Sequence, residues 1–121
     1  MSDIRLGVVE ARFADLVWKN APITTLELVK LCKSELDWAR TTTYTVLKKL
    51  CEKGLFQTEN SLVTTRITKS EFYALQSEKF VEESFQGSLP AFLAAFSSRK
   101  APSEADLQTI RAWLDSYEEG K

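Results

Sequence analysis

Three amphipathic segments followed by two β-branched segments constrain the fold of the first 70 residues more than any other feature of the sequence. In each of the three segments, apolar residues recur at spacings of three and four, which predicts three helices, the second over about 25–35. Ala21-Pro22 separates the first two, because proline restricts its predecessor and cannot donate a hydrogen bond inside a helix. Thr24 or Thr25 is expected to cap the second helix.

The periodicity changes after Gly54, where two short segments rich in β-branched residues, 55–58 and 62–67, flank a polar turn. Three helices followed by such a hairpin predict a mostly α-helical chain whose N-terminal part is a winged helix-turn-helix. Thr68-Lys69-Ser70-Glu71 has the pattern of a capping box that begins a fourth helix. We therefore expect a winged-helix domain over residues 1–70 and a second, all-helical domain over 71–121.

The second domain is unusually aromatic for its length. From residue 72 onward it holds eight of the thirteen aromatic residues, and Ser103 and Asp106 are spaced to cap a last helix. So short a segment cannot bury this much apolar surface by itself, and a second copy of the chain is the simplest partner. We expect a helical dimerisation domain whose interface contains Phe80, Phe85, Leu89, Phe92, Leu93, Phe96, Leu107, Ile110 and Leu114.

The third helix separates into an apolar side and a hydroxyl-rich, basic side. On a 100° wheel one side of the helix, opposite a polar face, holds Thr43, Val46, Leu47 and Leu50. That face can be a solvated helix surface, or it can contact the phosphates and base edges of DNA. In the second interpretation the candidate DNA-binding residues, with one from the hairpin, are Arg40, Thr41, Thr42, Tyr44, Thr45, Lys48, Lys49 and Arg66.

The net charge of −1 hides an uneven distribution of charged residues. Residues 1–75 carry +2, residues 76–121 carry −3, and the segment 38–70 alone carries +4. Because a local basic patch releases counterions from DNA, the patch matters more than the total charge. The distribution therefore permits DNA binding by the third helix and hairpin.

The composition excludes several kinds of chemistry. The chain has no histidine, so histidine-activated nucleophiles and histidine metal ligands are excluded, and we assign no catalytic residue, metal or cofactor. Cys32 and Cys51 show no metal-ligand spacing and are expected to be small buried side chains in a reducing compartment. Residues 1–5 are polar and no segment is long and apolar enough to span a membrane, so we expect a cytoplasmic protein with no membrane insertion.

The segment WARTTTYTVLKKLCEKG, residues 38–54, resembles the recognition helix of the BlaI/MecI/CopY-type repressors. LGVVEARFADLVWKNAPITTLELVKLC before it and SEKFVEESFQGSLPAFLAAF after it are similar to further helices of that family, in the same order. The resemblance implies a homodimeric repressor that binds a palindromic, double-stranded operator through the third helix and the wing. It also implies DNA contacts by Thr42, Thr45 and Lys49, and a backbone contact by Arg66.

The chain departs from the family pattern at informative positions. Ala39-Arg40 replaces a frequent Ser-Pro, so the cap of the third helix must come from Asp37, Thr41 or water, and Tyr44 replaces a basic residue. Family members controlled by a membrane sensor metalloprotease are cut at an Asn-Phe bond, which corresponds here to Ala95-Phe96. The cysteine pairs of the copper-responsive members are missing, because no cysteine follows Cys51.

A different function remains open at this point. Many winged helices bind proteins rather than DNA, and this chain is slightly acidic overall. A winged-helix protein-interaction module would bind no duplex DNA at low salt and would use its aromatic C-terminal segment for a different partner.

Overall fold

The computed structural model describes residues 6–119, so the polar stretch 1–5 lies outside the described residues. The described chain is mostly helical, with six helices and three short strands, and so confirms the predicted fold class. In chain order the elements are α1 (Val8–Asn20), β1 (Ile23–Thr24), α2 (Thr25–Leu36), α3 (Arg40–Glu52), β2 (Phe56–Glu59), β3 (Leu62–Thr65), α4 (Lys69–Phe85), α5 (Leu89–Arg99) and α6 (Glu104–Glu119).

Local hydrogen bonds explain where three of the helices begin. The Thr24 hydroxyl accepts a hydrogen bond from the Glu27 amide at 3.1 Å, which caps α2 as predicted. Thr68 and Glu71 form the predicted capping box of α4, with both reciprocal bonds at 3.0 Å. The Asp106 amide likewise donates to the Ser103 hydroxyl at 3.0 Å at the start of α6.

The strands form a three-stranded antiparallel sheet in the order β1-β3-β2. Strands β2 and β3 are the predicted hairpin, here called the wing, and Asn60 and Ser61 form its turn with φ values of 52° and 62°. Two consecutive positive φ values match the twist of a tight hairpin. Strand β1, in which Ile23 pairs with Val63, was not predicted.

The core of the winged helix lies between α1, α2, α3 and the sheet, where Phe13, Leu28, Leu50 and Val63 are fully buried. Two tryptophans pack at its edges, as large apolar residues beside helices do. Trp38 stacks on Phe13 with ring centroids 5.5 Å apart. Trp18 donates a hydrogen bond from Nε1 to the Ile67 carbonyl at 3.0 Å and contacts the rings of Phe56, Phe72 and Tyr73.

The chain divides into two compact units, the first ending at Glu78 and the second beginning at Lys79. This division falls eight residues after the domain boundary expected at residue 70. The reason lies in α4, whose first turns belong to the winged helix: Phe72 is 1% exposed, and its ring centroid lies 5.5 Å from that of Trp18.

The second unit contains the end of α4 with α5 and α6. Gln86 and Gly87, with φ values of 53° and 80°, make the turn between α4 and α5. A chain of aromatic contacts links Phe80, Phe85 and Phe92, whose ring centroids are 5.6–6.0 Å apart. Neither α5 nor α6 has a fully buried residue, so much of the apolar surface of this unit is exposed to solvent.

Candidate nucleic-acid interface

Helix α3 has the two faces that its sequence predicts. Thr43, Leu47 and Leu50 are buried against the winged-helix core, with Thr43 only 1% exposed. The structure exposes the predicted DNA-contact residues of this helix, which are Arg40, Thr41, Thr42, Tyr44, Thr45, Lys48 and Lys49. One surface of one helix therefore collects seven polar or basic side chains.

Helix α3 begins without a side-chain cap. Its N-cap is Ala39, and Asp37, one of the groups expected to accept hydrogen bonds from the first amides, does not cap it. Asp37 instead ends α2 in the left-handed conformation, with φ at 55°, and its carboxylate pairs with Lys33 at 2.9 Å. The amide groups of the first turn of α3 thus lack a side-chain partner at the cap position.

Arg40 and Tyr44 interact along the exposed side of α3. The guanidinium Cζ of Arg40 lies 5.5 Å from the centroid of the Tyr44 ring. This is a cation–π contact between residues four positions apart, on successive turns of the helix. A hydrogen bond from the Thr25 side chain, with a smaller effect of Arg40, lowers the pKa of Tyr44. Tyr44 also lines a shallow depression with Thr25, the first residue of α2.

The Thr45 hydroxyl donates its proton to the Thr41 carbonyl at 2.8 Å within the helix. The hydroxyl proton of Thr45 is therefore already used in a hydrogen bond. The hydroxyl oxygen can still accept a hydrogen bond from a bound molecule, and the methyl group can make an apolar contact with it. The methyl group suits a thymine C5-methyl, and the oxygen can accept from an amino group of a base.

Two lysines of the basic segment already have carboxylate partners. Lys49 Nζ lies 2.8 Å from Glu10 Oε2 on α1, and Lys69 Nζ lies 2.9 Å from Asp15 Oδ1. The hydrogen bond from Lys49 lowers the pKa of Glu10, and the Gly7 amide adds to this effect. Within the described residues, no carboxylate lies within ion-pair distance of Arg40, Lys48 or Arg66.

The wing contributes less positive charge than α3. Arg66 follows β3, its side chain is exposed, and its amide donates to the Leu55 carbonyl at 2.9 Å. Near the turn, the Gln57 side-chain amide donates to the Glu59 carboxylate at 3.1 Å. The basic end of the wing is therefore at its base, where Arg66 lies.

Sequence reasoning missed two residues of this region, Glu10 and Thr25. Each contacts the outer face of α3 from a different helix, Glu10 through Lys49 and Thr25 through Tyr44. Spacing along one helix shows which residues share a face, but no local pattern shows which residue of another helix approaches that face.

Comparison with known proteins decides the family. The family model described as "Penicillinase repressor" matches residues 6–116. The chain belongs to this family. Its members regulate transcription and are not enzymes, which agrees with the expectation that the chain has no catalytic residue.

One protein sequence and one solved structure are similar to this repressor. The penicillinase repressor of Bacillus licheniformis is 22% identical over 125 residues, an alignment that covers 100% of this chain and 94% of that protein. A solution structure of the Bacillus licheniformis BlaI monomeric form in complex with the blaP half-operator is 26% identical. That match covers 59% of this chain and 93% of the other, with a TM-score of 0.48.

The structure also locates the residues expected at the dimer interface of the repressor. Phe85, Phe92, Leu107 and Ile110 are half-buried, while the other five are exposed, namely Phe80, Leu89, Leu93, Phe96 and Leu114. The Ala95-Phe96 bond lies inside α5, where the Ala95 carbonyl accepts a hydrogen bond from the Ser98 hydroxyl at 2.7 Å.

The two cysteines of the repressor, Cys32 and Cys51, are both free and form no disulfide. Cys32 is buried, which raises its pKa, and Cys51 is half-buried 3.7 Å from the Thr58 hydroxyl. Among residues 6–119, no three His, Cys, Asp or Glu side chains are grouped closely enough to hold a metal ion. In the same range, no helix has the length and apolar character needed to cross a membrane.

Proposed function

We propose that this repressor binds palindromic operator DNA as a homodimer, with α3 of each protomer in the major groove and the wing on the neighbouring backbone. The observation that carries the proposal is the exposed face of α3, whose first turn holds no acidic residue. A recognition helix places the exposed residues of its N-terminal half against base edges, and here those residues are Arg40, Thr41, Thr42, Tyr44 and Thr45.

The charge of this surface supports phosphate contacts. Arg40, Lys48 and Arg66 have no carboxylate partner within the described residues, so they can pair with phosphates without breaking an ion pair. The uncapped start of α3 adds backbone amides, and a helix N-terminus attracts anions. Such contacts are weakened by salt, because each one releases condensed counterions.

The second unit supports dimer formation. A groove of about 520 Å³ between α5 and α6 is lined by five of the residues expected at the interface, Phe92, Leu93, Phe96, Leu107 and Ile110. Exposed apolar surface of this kind is typical of an interface that a partner covers. Two recognition helices held by a dimer read half-sites separated by about 34–36 Å or a multiple of this distance.

The resemblance to repressors controlled by a sensor metalloprotease suggests how the repressor would be released from its operator, namely by proteolytic cleavage. Cleavage of the Ala95-Phe96 bond would divide α5 and separate Phe96 from Phe92, whose ring centroids lie 6.3 Å apart. Loss of the dimer would then release the operator.

The test begins with selection of bound duplexes from a random library, followed by gel retardation with the selected sequence. We expect Thr45→Ala/Lys48→Ala to weaken binding, because it removes one base contact and one phosphate contact from each protomer. The slope of log K against log salt should become shallower by roughly two. Each protomer loses one phosphate contact, that of Lys48, and each such contact contributes about 0.9 to the slope. Arg111→Ala on α6 is the charge-matched control and should leave the slope unchanged.

A chain that enriches no sequence and binds no duplex at low salt would contradict the proposal. That outcome would favour the winged-helix protein-interaction module instead.

A further inference from the structure

The outer face of α3 carries a single arginine, and this arginine is the only cation of that face in contact with an aromatic ring among the described residues. Arg40 is the first residue of the helix, and its Cζ lies 5.5 Å from the centre of the Tyr44 ring. A cation–π contact of this kind restricts the guanidinium, and its N–H groups that point away from the ring can still donate hydrogen bonds.

Tyr44 lies close to a second helix. It lines a shallow depression with Lys48 and with Thr25, the first residue of α2. Tyr44 is 36% exposed, so its ring is partly packed at the surface while the face that carries Arg40 stays accessible.

We propose that Arg40 is a specificity-determining residue of this repressor that binds one guanine in each half-site, with Tyr44 as the positioning residue that holds the guanidinium. This inference rests on the proposed function, since it assumes that α3 enters the major groove. The planar fork of arginine matches the O6 and N7 acceptors of guanine, and the first residues of a recognition helix contact base edges.

The surroundings of Arg40 favour a base rather than a phosphate. Lysine binds phosphate as a point charge with no fixed plane, and Lys48 can supply that charge about two turns along the helix. A base contact needs a fixed plane, which the Tyr44 ring provides. No carboxylate within the described residues competes for the guanidinium.

The decisive variant is Arg40→Lys, which keeps the charge and removes the planar fork. Duplexes are selected from a symmetric random library by wild type and variant, and the affinities for all four bases at each position are then measured by competition. Wild type should require a guanine at one position of each half-site. In Arg40→Lys the affinity ratio for guanine over the other bases at that position should fall by about 5- to 150-fold, the range expected for one bidentate base contact. The base preferences at the other operator positions should not change.

Lys48→Ala is the matched control on the same face of α3. It removes a charge without a fixed plane, so it should weaken binding to all sequences equally and leave the guanine preference intact. Circular dichroism and unfolding curves of each variant establish that the winged helix is still folded.

Two variants of Tyr44 separate positioning from general structure. Tyr44→Phe keeps the ring under Arg40 and should keep most of the guanine preference. Tyr44→Leu removes the ring and should lower that preference towards the level of Arg40→Lys, with unchanged thermal stability. A purely structural role would instead change stability and affinity for every sequence together.

The outcomes distinguish this inference from the proposed function. If wild type selects an operator and Arg40→Lys keeps the same guanine preference, the assignment of Arg40 is wrong and the operator-binding repressor stands. The assignment of Tyr44 is wrong if Tyr44→Leu keeps the preference that Arg40→Lys loses. If wild type selects no sequence at all, the proposed function itself fails.

Discussion

Lys49 carries one of the positive charges of α3, but Glu10 already neutralises much of it. The two side chains lie 2.8 Å apart, and Glu10 is the more shielded partner, with 18% of its side chain exposed against 57% for Lys49. DNA must therefore compete with a carboxylate of the same protein for this lysine. We therefore expect the DNA contact that the family resemblance implies for Lys49 to be weaker than its charge alone would give.

Glu10→Gln should raise operator affinity, because it frees Lys49 and removes a negative charge close to the DNA-facing helix. A partly exposed ion pair contributes about 0.2–1 kcal/mol, so we expect an increase of roughly 1.4- to 5-fold per protomer. Fluorescence anisotropy with labelled operator measures it, and Glu35→Gln, an exposed carboxylate of α2, is the control. Equal affinities of wild type and Glu10→Gln would remove Lys49 from the interface.

Glu10 also makes the free energy of unfolding depend on pH in the acidic range. The Lys49 and Gly7 contacts lower the pKa of Glu10 from its ordinary value of 4.5, so the folded state favours the carboxylate. Glu10 therefore stabilises the fold above about pH 4.5, and this contribution is lost as the pH falls through the lower, folded-state pKa. Urea unfolding at pH 7 and at pH 3 should show that the difference between wild type and Glu10→Gln shrinks in acid.

At the scale of single elements, the features that local chemistry controls were predictable. The caps formed by Thr24 and by Thr68 with Glu71 follow from residues three positions apart, and the two faces of α3 follow from helical periodicity. Strand β1 was not predictable in this way. It has two residues, too few for an alternating pattern, and it exists because Ile23 pairs with Val63 forty positions later.

Helix α4 shows how one buried side chain assigns part of an element to a unit. Phe72→Ala should destabilise the winged helix by about 3–5 kcal/mol, because it leaves a cavity beside Trp18 in place of a ring that is 1% exposed. Val8→Ala, at an 81% exposed position of α1, should change stability by less than about 0.5 kcal/mol. Chemical denaturation followed by circular dichroism compares them, and similar midpoints would mean that α4 does not stabilise the first unit.

At the scale of the whole molecule, the separation of charge and apolar surface was predictable but the boundary was not. The basic segment and the aromatic segment follow from counting residues along the chain. The division at Lys79 depends on Phe72 and Tyr73 packing against Trp18, a contact between segments more than fifty residues apart. Counting residues alone could not show that contact.

The proposed dimer interface should be separable from the proposed DNA-contacting surface. Phe96→Glu places a charge on the exposed apolar face of α5, where Phe96 is 54% exposed, and should shift the protein from dimer to monomer. Operator binding should weaken as well, although α3 is unchanged, because the two half-sites are then bound independently. Sedimentation equilibrium measures the first effect and gel retardation the second.

Gln108→Glu, an exposed position of α6, adds the same charge outside the expected interface and is the control. A Phe96→Glu protein that is still dimeric would exclude this face of α5 from the interface.

The placement of the tryptophans gives this protein a built-in optical signal for each unit. Trp18 and Trp38 are packed against other rings in the winged helix, whereas Trp113 on α6 is half-exposed and contacts Tyr117 with ring centroids 5.1 Å apart. An aqueous quencher such as iodide therefore reaches Trp113 most easily. Protection of its emission as the protein concentration rises would follow self-association without any label, while the shielded indoles continue to report on the other unit.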